Sequence, residues 1–104
     1  PVRRTMRTTN ATAVQPATSW ENTMTTTTAT AAVTITLPSF STEPFATRAE
    51  VDILQMGTGQ VTFVAGSGAA IFGTPGLKLR AQYSAATCKV IATNNWIVIG
   101  DLSA

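Results

Sequence analysis

The run VDILQMGTGQVTFVAGSGAAIF, Val51–Phe72, holds the pattern from which the rest of the chain is read. Its apolar residues do not recur every three or four positions, as one face of a helix requires. They alternate. Val51 and Ile53 stand against Glu50, Asp52 and Leu54, and Val61 and Phe63 share one face of the next segment. A period of two is that of a half-buried strand. Gly57-Thr58-Gly59 and Gly66-Ser67-Gly68 interrupt the alternation and read as hairpin turns, with Gly57 and Gly59 supplying positive φ.

Upstream, Thr30–Leu37 alternates in the same way, with Val33, Ile35 and Leu37 on one face and Thr34 and Thr36 on the other. Pro38 ends that strand, because proline has no N–H for the ladder. Ser39–Thr47 reads as a loop whose Phe40 and Phe45 plug one end of the core. Downstream, Gly73-Thr74-Pro75-Gly76 turns the chain into Leu77–Tyr83, where Leu77, Leu79 and Tyr83 oppose Lys78, Arg80 and Gln82. Thr87–Ala92 and Trp96–Leu102 form a last hairpin around Thr93-Asn94-Asn95. Short strands separated by Gly, Pro and Asn turns predict an all-β fold, a small antiparallel β-sandwich or barrel.

The chain divides near Trp20. Residues 1–19 show no hydrophobic periodicity and hold Arg3, Arg4 and Arg7, so they read as an extended N-terminal arm preceding a β domain over 20–104. Within that domain WENTMTTTTAT, Trp20–Thr30, has β-formers with few apolar anchors and reads as an edge strand. Nineteen extended residues reach up to about 60 Å at about 3.3 Å each, enough to cross a subunit boundary. The three arginines are therefore candidates for docking on a partner protein. Three charges without interleaved aromatic rings make a poor nucleic-acid site, and no nucleic-acid partner is expected.

In a chain of 104 residues only 12% are charged, against roughly 25% in an average soluble domain, and Thr with Ala exceeds a third. Such a surface loses little ionic hydration when covered, which suits permanent interfaces; a low-solubility β domain with an uncharged exterior is the plainer alternative. Bulky apolar residues also occupy both faces of several strands: Phe63 beside Val64, Ile71 beside Phe72, and Ile97 and Ile99 opposite Trp96 and Val98. A monomer usually solvates one face of a sheet, so these strands point to self-association. Tyr83 and Trp96 are the expected structural anchors, both buried in the body or at a subunit contact.

Histidine, the commonest general base at neutral pH, is absent, and one cysteine makes no internal disulfide. Cys88 alternates with Val90 and reads as a buried, inert thiol. Glu50 and Asp52 lie two apart on one strand and read as a solvated face. The glycine turns lack the lysine and the strand–loop–helix setting of a phosphate loop. An enzyme, a cofactor and a metal site are not expected. No apolar run approaches the roughly 20 residues of a membrane helix, and the N-terminal arginines are followed by no apolar stretch that would make a signal peptide.

Three segments taken in order, VTITLPS (33–39), VDILQMGTGQVTFVAGSGAAI (51–71) and LKLRAQYSAATCKVIATNNWIVIGDLS (77–103), resemble a module of bacteriophage virion proteins. Modules of this kind occur in capsid decoration proteins, head fibres and tail-fibre or minor tail proteins. The resemblance covers about two-thirds of the chain. It implies a β-rich structural protein without a cofactor, made in the host cytoplasm and incorporated into the virion. It also implies a homotrimer bound to the major capsid protein or another virion protein. The leading expectation is a capsid decoration (cement) protein, and the principal rival is a minor tail or fibre module. A sugar-binding sandwich and an arginine-armed nucleic-acid binder are further rivals.

Overall fold

The alternating segments form strands because β-branched and aromatic side chains at every second position pack well on a pleated surface. A computed structural model describes residues 6–21 and 23–104. In it the strands are β1 (Met6–Thr9), β2 (Ala13–Val14), β3 (Thr23–Thr27), β4 (Val33–Leu37), β5 (Glu50–Gln55), β6 (Val61–Ala65), β7 (Ala70–Gly73), β8 (Lys78–Leu79), β9 (Ala85–Ala92), β10 (Asn95–Gly100) and β11 (Leu102–Ser103). A single 3-10 turn, Thr18–Trp20, is the one helical element among the described residues. The fold is all-β.

Two sheets share these strands, with orders β1-β3-β5-β9-β10-β7 and β11-β8-β6-β4-β2. Successive strands alternate between the sheets, and only β9 and β10 are both sequential and paired. The pairing is mixed. β1, β3 and β5 run parallel, as do β2, β4 and β6, and β7 lies parallel to β10. The pairs β5–β9, β9–β10, β6–β8 and β8–β11 are antiparallel. The expectation of an antiparallel body with hairpins at the glycine turns is therefore corrected. Period two does not encode strand direction, and Met56–Gln60 carries the chain across to the other sheet instead of back along the same one.

Gly57 and Gly59 have a different purpose from the one read in the sequence. Neither takes positive φ. A Cβ at Gly57 would stand 2.3 Å from the Ala29 carbonyl oxygen, and one at Gly59 only 1.8 Å from that of Ala31. The glycines let this arch lie flat on the arch before it. Gly59 N–H donates to the Ala29 oxygen at 3.0 Å, and Thr28 N–H donates to Thr9 oxygen at 2.9 Å in the arch beneath. The first six strands are thus three stacked rungs joined by arches. Gln55 closes the third from inside: its Oε1 accepts from Val61 N–H at 3.1 Å and its Nε2 donates to the Gly57 oxygen at 3.2 Å.

One buried cluster draws on both sheets. Val33, Ile35, Leu37, Val61 and Phe63 meet Val51, Ile53, Cys88, Trp96 and Val98. Polarity rises toward the first rung, where the inward row reads Ile53, Thr25, Arg7 across β5, β3 and β1. The hydroxyls of Thr25 and Thr27 are buried without a hydrogen-bond partner.

The arm expected over 1–19 is, in its described part, two edge strands. Met6–Thr9 joins one sheet, Ala13–Val14 joins the other, and Val14 enters the core. Backbone hydrogen bonds to β3 and β4 hold these strands, and such bonds leave no apolar pattern for periodicity to detect. β3 likewise is not an edge: β1 covers its outer side.

Candidate interaction surface

Neighbouring residues in register share a face, so the outward side chains of the six-stranded sheet are given by its ladder. One row runs Phe72, Ile97, Lys89, Glu50 across β7, β10, β9 and β5. The next runs Ile99, Thr87, Asp52, Met24, Met6 across β10, β9, β5, β3 and β1. A third places Ala85 against Leu54 and Leu54 against Thr26. Phe72, Ile99 and Met6 are 52%, 58% and 64% exposed. Large apolar residues therefore flank a central strip of charge and hydroxyl, where Thr87 Oγ1 donates to Asp52 Oδ1 at 2.7 Å.

The relief of this face is a groove of about 410 Å³ between Phe72, Ile97 and Ile99, floored by Gly73 and Gly100. A second groove of about 230 Å³ continues past Ile99 to Met24, Asp52 and Thr87. The outer face of the five-stranded sheet is different in kind. Its main row reads Ala13, Thr34, Thr62, Lys78, Ser103. Threonines and a lysine are ordinary solvent-facing residues, whereas an exposed Phe72 and Ile99 beside a half-buried Ile97 are not.

The candidate residues read from the sequence separate. Trp96 is 1% exposed, and its Nε1 donates to the Pro38 oxygen at 2.9 Å. Phe45 packs edge-on against its ring, centroids 5.0 Å apart. Phe40, the second expected plug, is 49% exposed. Tyr83 is 67% exposed and so is not an anchor of this body. The strand predicted over Leu77–Tyr83 ends at Leu79; the chain then turns, and Tyr83 takes a φ of 72°. Arg3 and Arg4 lie outside the described residues. Arg7 is not on a free arm: its guanidinium stands 4.8 Å from the Trp20 ring centroid, and its Nη2 approaches the Thr23 hydroxyl at 3.5 Å.

Among the described residues, Cys88, and Asp101 with its partner Arg80, have environments that shift their titration. Cys88 is fully buried, and desolvation, aided by the Asp52 charge, drives its thiol pKa well above the ordinary value. Asp101 is held below its ordinary value by hydrogen bonds from Arg80 first and Ser84 second. Arg80 Nε meets its Oδ1 at 2.9 Å and Ser84 Oγ its Oδ2 at 2.8 Å. That contact ties the segment after β8 to the connection between β10 and β11. Glu50 and Asp52 face Lys89 and Thr87 across the ladder.

The apolar outer face was partly legible. Ile97 and Ile99 opposite Trp96 and Val98 signalled two apolar sides, and the structure turns Trp96 and Val98 inward. Met6 and Met24 on the same face were missed, because their strands carried no apolar alternation. Among the described residues no helix is long and apolar enough to cross a membrane, which says nothing of strands. Compared with protein-family models, curated proteins and solved structures, the chain matches none.

Proposed function

We propose that this chain is a non-enzymatic structural protein of a phage particle, a capsid decoration (cement) protein that binds the assembled shell as a homo-oligomer. The observation that carries the reading is the outer face of the six-stranded sheet, where Phe72, Ile97, Ile99 and Met24 surround a short charged strip. A face of that kind is suited to being covered, and the low charge of the whole chain is consistent with a life inside an assembly. The virion placement itself rests on the resemblance of the three sequence segments. The two-sheet body is read as a small sandwich. Several copies joined into one oligomer turn weak single contacts with a shell into a strong attachment, because each later contact forms at high effective concentration.

A second reading, a minor tail or fibre module, draws on the exposed Tyr83 and Phe40, which are available to an outside partner. Gold-labelled antibody against the chain, viewed on particles from cells that carry the gene, separates the two. Label over the shell supports decoration and label on the tail supports the second reading. Purified particles free of the chain would overturn both.

A further inference from the structure

We infer that the outer face of the six-stranded sheet is the contact between copies of this chain, with a second copy as its occupant. This rests on the reading of the chain as an assembly module, but not on whether it sits on a shell or a tail. Three observations select the occupant. The first is complementarity within the face. Phe72, Ile97 and Ile99 form one apolar flank, Met24 and Met6 the other, and Lys89 lies between them beside Glu50 and Asp52. A second copy therefore offers apolar surface to each flank, and a base and acids to the acids and base between.

The second observation is area. The body measures 35 × 32 × 21 Å with 5476 Å² of accessible surface. A broad face of such a body holds about a fifth of that surface, on the order of 1,000 Å², above the roughly 800 Å² per partner of a standard interface. The third is contrast. The opposite face carries Thr34, Thr36, Thr62 and Lys78 around a half-buried Val64, so the contact is assigned to the more apolar side of the molecule.

Sedimentation of the full chain at tens of micromolar tests the inference, beside Phe72→Lys/Ile99→Lys and, as a control, Thr34→Lys. The parent and Thr34→Lys are expected to self-associate, and the double variant to do so tenfold more weakly or less. A monomeric parent overturns the inference, as does a folded double variant that assembles like the parent. Should the double variant not fold, methionine oxidation of the parent decides. Met6 and Met24 are expected to become protected from peroxide as concentration rises, while Met56, beyond the end of β5 and 41% exposed, is expected to stay the more reactive. Equal reactivity of all three at every concentration overturns the proposal. Purified protein answers this question without particles, so a failure here leaves the labelling result standing, and the reverse holds as well.

Discussion

Trp96 shows how much a single side chain does in a body this small. Its ring fills the core beside Phe45 and its one polar atom is paired with the Pro38 oxygen, so burial leaves nothing unsatisfied. Trp96→Ala is expected to lose about 3–5 kcal/mol, a large part of the margin of a domain of this length. Thermal or urea melts check this against Tyr83→Gly, which removes an exposed ring from a left-handed position and is expected to melt at or above the parent. A fall for Tyr83→Gly as deep as that for Trp96→Ala would show that the ring is anchored by something outside the single chain. Cys88 gives a chemical counterpart. Its buried thiol resists ionisation, and only the thiolate is nucleophilic. Maleimide at pH 8 is therefore expected to leave the native chain unlabelled and to label it fully in denaturant; fast native labelling would place β9 differently.

At the level of elements, the arches connect sequence to topology. Stacking Met56–Gln60 on Thr28–Ala32 needs backbone against backbone, and only glycine leaves room at 57 and 59. Gly59→Ala is expected to destabilise the chain by about 3 kcal/mol, the upper end of the overpacking range, since the atom it meets is a carbonyl that cannot step aside. At Gly66 an added Cβ would come within 3.1 Å of the Leu37 oxygen, a tight contact but not an overlap, so Gly66→Ala is expected to be clearly milder. Denaturant midpoints of the two variants give the comparison; equal losses would mean that the arches do not stack as described. The same view explains β1 and β2. They extend existing parallel ladders through their backbones, which is why threonines and Arg7 suffice there in place of an apolar pattern.

For the molecule as a whole, the scarcity of charge makes stability depend on packing far more than on pH. With no histidine in the chain, no imidazole titrates between pH 5 and 8, and the melting temperature is expected to be flat across that window. Asp101 sets the acid side. Its folded pKa lies below the ordinary 3.8, because Arg80 and Ser84 hydrogen-bond the ionised form. The stability it supplies is thus fully present above that ordinary value and is lost as pH falls through the lower folded one. Asp101→Asn is expected to melt slightly below the parent at pH 7 and to converge with it in acid. A constant gap down to pH 2 would show that the carboxylate's charge is not what matters. The pair is largely solvent-exposed, so the difference is small.

Sequence alone determined the strand class and most of the core, because alternation is a local property of the backbone: Val33, Ile35, Leu37, Val51, Ile53, Val61, Phe63 and Trp96 are all buried where period two places them. It also marked Cys88 as buried and Ile97 and Ile99 as facing away from Trp96 and Val98. Tertiary structure alone decided which strands pair and in which direction, that the glycine turns are arches and not hairpins, that 6–14 belongs to the sheets, and that Tyr83 points outward. The reason is physical. Pairing is settled by backbone hydrogen bonds between distant segments and by the reach of the connections. Parallel and antiparallel ladders accept the same side chains, so the alternation that names a strand is silent about its neighbour.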